Sequence, residues 1–233
     1  MMLAACDSGD IVEDSITVTD TGRTVLLTAR VSGLSVWEAQ NYHMALAGFA
    51  ANNRYALVQK AIPSATADGE PVRLTVSNIS NEVSTVELAL TNNLRKRIIT
   101  LHTLKMDDYE GYGPQDTIHL DMGDLELSRF GCLQYGLFDR ACIQCHGGNG
   151  RSAGSLNLTD GQAYANLVDQ PSTLREGEWR VRSSRPDSSL MCHILEEGGE
   201  NLLRYNHTEV LSSLFKDNLE EVKELIHDWI NAL

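Results

Sequence analysis

The chain has 233 residues, 42% hydrophobic and 22% charged, which is the composition of a globular protein, and it contains no run of about 18 apolar residues able to span a bilayer. Acidic residues outnumber basic ones 32 to 19, and the net charge of −13 is spread over both halves, which argues against sequence-independent binding of nucleic-acid phosphates. Length alone allows one large domain or two small ones.

Near the start, Leu3-Ala4-Ala5-Cys6 has the form of a bacterial lipobox, in which a signal peptide is removed and the new N-terminal cysteine is acylated. Only five residues precede Cys6, too few for a basic and an apolar region, so residues 1–14 are read as a truncated lipoprotein signal and tether. The alternative is an ordinary N-terminal tail with a stray cysteine.

From residue 15 to 121 the pattern is short, alternating and punctuated by turns. Arg23–Val31, Tyr55–Ile62, Val72–Val76, Val83–Leu90, Ile98–Leu104 and Thr117–Leu120 read as strands, with Asp68-Gly69 and Asn92-Asn93 as turn chemistry between them. Around seven strands in this length predict an all-β, immunoglobulin-like sandwich. From residue 122 to 233 the pattern turns helical. Leu125 to His146 forms one expected helix and Gly161 to Val168 a second, capped by Thr159-Asp160. Leu219, Val222, Leu225, Ile226, Trp229, Ile230 and Leu233 then make the apolar stripe of a C-terminal helix.

The helical half carries the chemistry. Cys142-Ile143-Gln144-Cys145-His146 is the C-x-x-C-H arrangement of covalent c-type haem attachment. Two thiols three positions apart on a helical turn reach the two vinyl groups of one porphyrin, and the histidine that follows lies under the iron. Such attachment takes place outside the cytoplasm, the compartment that a lipidated Cys6 also implies. Two other readings stay open: a thioredoxin-like redox pair, and a zinc site formed by Cys142 and Cys145 with His146 or with Cys192 and His193. Of the remaining cysteines, Cys132 and Cys192 are expected to form a disulfide in an oxidising compartment, worth about 3–4 kcal/mol in the chain-entropy account. Two buried free thiols are the alternative.

A helix ending in C-x-x-C-H, a glycine-rich loop, a middle helix and a terminal amphipathic helix resemble the layout of a mono-haem cytochrome c. The stretches that carry the resemblance are Cys142–Gly147, Gly154–Leu158 with Ala163–Leu167, Arg185–Leu190, and Val222 through Trp229-Ile230. They are most similar to cytochrome c-like modules of envelope lipoproteins of the Planctomycetes and Bacteroidetes type. The resemblance implies a mostly α, cytochrome c-like domain after the sandwich, holding one covalent haem c with His146 as an axial ligand. The methionine that such modules place before the last helix, often as Met-Pro, is missing. His207 stands in that region and is the expected second ligand, with Met191 and His193 as alternatives.

Arg175, Arg180, Arg182 and Arg185 crowd one short stretch, and Arg182 or Arg185 is expected to hold the haem propionates, unless these charges face water or pair with Glu176 and Glu178. Trp179 packs on the haem edge or fills core, and Trp229 reads as core. His43, His102, His119 and His227 show no ligand spacing and receive no role. The expected function is single-electron transfer at a bacterial cell envelope, in the periplasm or on the surface, by a carrier more than a catalyst. Its redox partner protein would be basic, and its only membrane attachment the lipid on Cys6. The competing expectation is an envelope binding or adhesion protein whose Cys/His cluster is a structural zinc or inert haem site.

Overall fold

The computed structural model describes residues 22–37, 41–196, 198–199 and 202–233, so Cys6 and its surroundings lie outside the described residues. Seven strands form two sheets: β1 (Arg23–Ser32), β2 (Tyr42–Ala50), β3 (Val58–Ala61), β4 (Glu70–Ile79), β5 (Val83–Asn92), β6 (Arg97–Lys105) and β7 (Thr117–Glu126). One sheet has the order β4-β1-β7 and the other β3-β2-β5-β6.

Burial explains the pairing. β1 is central, antiparallel to β4 and parallel to β7, and buries Val25, Leu26, Leu27, Ala29 and Val31. β2 lies between β3 and β5, and Met44 through Phe49 form one uninterrupted buried run because both faces are covered, Met44 and Leu46 by the main core and Ala47 and Phe49 by a small cluster with Ala56. The turn Leu34–Trp37 follows β1, and Trp37 donates its indole N–H to the Leu127 carbonyl at 2.7 Å. On β5 the buried carboxylate of Glu87 is fully answered, accepting from Arg97 at 2.7 Å, Thr100 at 2.6 Å and Thr85 at 2.8 Å.

After β7 the chain becomes helical. α1 (Arg129–Leu133) passes into a π-helical stretch (Gln134–Cys142) and then α2 (Ile143–His146); α3 (Ala163–Leu167), α4 (Leu190–Leu195), α5 (His207–Leu214) and α6 (Leu219–Asn231) follow. The Ser128 hydroxyl caps α1 by accepting from the Gly131 N–H. The helices seat on β6: Gly136 packs against Ile99, Arg140 donates to the Thr100 carbonyl, Asn218 to the Ile98 carbonyl, and Lys96 pairs with Glu221. Buried residues of both sheets and of α1, α4, α5 and α6 form one connected apolar cluster.

One fold expectation is corrected, and one capping expectation with it. The described residues are 35% strand and 32% helix, with helices of mostly one or two turns separated by long irregular segments, so a mostly α cytochrome c-like domain is not what forms. The glycine-rich stretch between α2 and α4 is the reason, since left-handed residues such as Gly148, Asn149 and Gly150 stop helices before they lengthen. The sheet half forms from seven strands in two sheets, and in the smaller one β1 stands between β4 and β7. Thr159-Asp160 does not cap α3; Gln162 occupies the cap position and its side chain makes no capping bond.

Gly131 sets two effects against each other. Alanine has the better helix propensity by about 1 kcal/mol, but a Cβ at this position would stand 2.0 Å from the Glu126 carbonyl oxygen, at the end of β7. Backbone cannot yield as a side-chain tip can, so Gly131→Ala is expected to destabilise by about 1–3 kcal/mol. Urea unfolding checks this, and a stabilised variant would show that α1 does not approach β7 so closely.

Candidate functional site

A cavity of about 550 Å³ opens between the end of the first helix, the loop 153–158, α4 and α5. Its walls are apolar, with Leu137, Phe138, Leu158, Leu167, Met191 and Leu211 among the buried side chains that line it. The polar groups on this space include Cys142, Cys145, His146, Arg180, Arg204 and His207, with Ser172, Thr173, Tyr205, Asn206 and Glu209 also in the lining. An apolar hollow of this size with a handful of placed polar groups is the usual form of a cofactor site.

The two histidines come from different helices. His146 ends α2, and its Nδ1 lies 2.9 Å from the Ala153 carbonyl; His207 opens α5, and its Nδ1 lies 3.0 Å from the Tyr205 carbonyl. A carbonyl oxygen only accepts, so each Nδ1 carries a proton and donates, and Nε2 is the nitrogen that a neutral ring would offer to a metal. A backbone carbonyl holding the far ring nitrogen is what orients metal-ligating histidines. The ring centroids are 6.3 Å apart with the planes inclined at 25°. Two imidazoles bound through Nε2 on opposite sides of one metal would have centroids about 6 Å apart, from about 2 Å per metal–nitrogen bond and about 1 Å from nitrogen to ring centre. Burial lowers His146 from the ordinary imidazole value, opposed by its hydrogen bond to the Ala153 carbonyl and aided by the neighbouring His207 and Arg180, which favours the neutral form.

The cysteines of the motif sit on the same cavity. Cys142 is half-buried and Cys145 exposed, both as free thiols. Burial, with Cys145 and Asp139 adding to it, pushes the Cys142 thiol up to about 12. A raised thiol is the opposite of what a thiol–disulfide oxidoreductase uses, which weighs against the thioredoxin-like reading.

The expected disulfide does not form. Cys132 and Cys192 are both buried free thiols. Cys132 is on α1, near the Leu127 carbonyl, and Cys192 is on α4 beside Ile226 and His227 of α6. Both α1 and α4 pack on α6, which supplies each thiol with apolar surroundings of its own. Burial raises both thiols, Cys192 to about 12, and suits them to the role of small hydrophobes.

Of the alternative ligands, Met191 lines the cavity, whereas the His193 Nε2 lies 3.0 Å from the Asp187 carbonyl and is not part of the lining. Arg182 and Arg185 are exposed and off the cavity; Arg180 and Arg204 are the guanidinium groups that line it. Arg175 pairs with Glu178 at 2.6 Å. Trp179 is partly exposed and outside the lining, and Trp229 is core, its ring 5.3 Å from Phe130. The sequence offers no signal that selects Arg180 from its run of four, because the loop that makes it face inward has no regular period.

Among the described residues no group of three or more His, Cys, Asp or Glu side chains is arranged to hold a metal ion by itself. A structural zinc needs four such donors, and Cys192 and His193 are turned elsewhere. A porphyrin brings four nitrogens of its own, so its iron asks the protein for two, and the cavity has two. No protein-family model, curated protein or solved structure matches the chain.

Proposed function

We propose that this protein is a c-type mono-haem electron carrier. The observation that carries the reading is the His146–His207 pair, lining one apolar cavity with ring centroids 6.3 Å apart, each ring held at Nδ1 by a backbone carbonyl, with the thiols of Cys142 and Cys145 on the same cavity. Cys142 and Cys145 would hold the porphyrin covalently and His146 and His207 the iron. Haem bound there supplies a one-electron Fe(II)/Fe(III) couple.

The chain's own residues favour transfer over catalysis. His146 and His207, both holding the iron, would leave it no place for a substrate. The buried walls around Phe138, Leu158 and Leu211 exclude water and keep the local dielectric low, which limits reorganisation between charge states. Two imidazole ligands give a lower potential than a histidine and methionine pair would. Covalent attachment supports an extracytoplasmic site of action, and the Leu3–Cys6 string supports a lipid anchor there. The net charge of −13 supports a basic redox partner.

The protein produced with a c-type maturation system is expected to be red, to retain its haem through acid–acetone extraction and to give a c-type pyridine haemochrome. A folded, colourless product with both Cys142 and Cys145 alkylatable would overturn the proposal.

A further inference from the structure

His146 depends on the Ala153 carbonyl, and that carbonyl belongs to an unfavourable turn. The two residues after it are both left-handed, Gly154 at φ 62° and Ser155 at φ 53°. Glycine adopts this conformation freely; serine does so under constraint. Something must therefore keep the turn in place, and the structure offers an identifiable group. Arg180 donates from Nη2 to the Gly154 and Ser155 carbonyls, each at 3.1 Å, and from Nη1 to the Asn166 carbonyl of α3 at 2.8 Å. The Thr173 hydroxyl adds a bond of 2.6 Å to the Gly154 carbonyl.

Arg180 is itself anchored at the backbone. Its N–H donates to the Gln170 carbonyl at 2.8 Å, and its carbonyl accepts from the Met191 N–H at 3.0 Å. Among the described residues its guanidinium has no carboxylate partner, in a chain with 32 acids. Its charge is spent on carbonyl oxygens, where charge-assisted bonds are stronger than neutral ones and where the planar fork reaches three acceptors that an ammonium could not.

We propose that Arg180 is the positioning residue for His146: its guanidinium clamps the left-handed turn at Gly154 and Ser155, and the clamped turn presents the Ala153 carbonyl that fixes the ring of His146. The clamp stands on contacts within the chain, and only its consequence for an iron ligand rests on the haem reading. His207 is held by the carbonyl of Tyr205 on another segment and provides an internal control.

The test follows the Nδ1–H protons of both histidines by nitrogen-15 NMR, in the full chain prepared without haem and in the reduced haem-loaded protein. The variants are Arg180→Lys, Arg180→Gln and each of these combined with Ser155→Gly. Exchange of the His146 Nδ1–H is expected to accelerate at least tenfold in Arg180→Gln and several-fold in Arg180→Lys, with His207 unchanged. Ser155→Gly relieves the left-handed strain and is expected to restore a good part of the protection, a coupling that two independent sites would not show. In the oxidised haem-loaded protein, Arg180→Lys is also expected to shift the low-spin EPR g values, which report the orientation of the axial rings. If Arg180→Gln does not fold, Arg180→Lys carries the decision. Unchanged His146 exchange in Arg180→Lys would overturn the proposal, as would equal acceleration at both histidines, which signals general loosening. A chain that never takes up haem would defeat the electron-carrier reading and leave the haem-free measurement to decide on the clamp.

Discussion

Replacing His207 with alanine is expected to convert the haem-loaded protein from six-coordinate low-spin to high-spin almost completely, and imidazole added to the solution is expected to reverse the change. His207 is the first residue of α5, and the helix does not depend on its ring. Asn206 caps α5 by accepting from the Glu209 N–H at 3.0 Å, and Thr208 ties it to the Ile194 and Glu196 carbonyls. The substitution therefore empties one side of the metal position and leaves the wall standing. Absorption and EPR spectra at neutral pH check it. A variant with the parent's low-spin spectrum removes His207 from the iron, and a thioether charge-transfer band near the red edge would name Met191, which lines the same cavity, as the residue that moves in.

Phe138→Ala is expected to lower unfolding free energy by about 3–5 kcal/mol, the cost of deleting a buried aromatic ring whose space cannot collapse. Phe138 is 1% exposed, lies in the connected core and also faces the cavity, so its loss joins a void in the core to a hollow already present. Phe130, with its ring centroid 6.1 Å away, is itself packed on Trp229 and Tyr164 and has little freedom to follow. Phe138→Leu keeps most of the volume and is expected to cost less than about 1.5 kcal/mol. Equilibrium denaturation of the two variants decides; a loss below 1 kcal/mol for the alanine variant would show that the ring is not a load on the core.

What the sequence reveals here follows from how local each signal is. C-x-x-C-H is a local arrangement, and the structure puts all three of its side chains on one cavity. His207 stood out because of its place before the last helix, and α5 brings its ring centroid to 6.3 Å from that of His146. Six strands were legible from alternation or from turn residues. β2 was not: Tyr42–Ala50 runs Met-Ala-Leu-Ala-Gly-Phe without alternation, since both faces of a central strand are covered and no polar face is needed. Choosing Arg182 or Arg185 failed because that stretch has no secondary structure to fix its direction, and Arg180 turns inward through three carbonyl contacts that no periodicity encodes. Placing Cys132 with Cys192 failed for a related reason, since matching two thiols assumes proximity and α6 furnishes each with a separate seat. The overall architecture depended on strand order, a long-range property; β1 finds its parallel partner β7 across the whole sheet region.

That parallel pair has a mechanical consequence. The chain enters β1 at one end of the ladder and leaves β7 at the other, with partners running from Thr24 beside Thr117 to Ser32 beside Glu126. Tension between the two ends of the protein would slide these strands along each other and load their rungs together, where an antiparallel hairpin would unzip one rung at a time. The weak direction lies elsewhere: beyond Glu126 the same pull first reaches the short helices and the loops between them. Under load the helical half would yield while the sheets stayed closed, and the wall carrying His207 would part from the wall carrying His146 before any strand was lost.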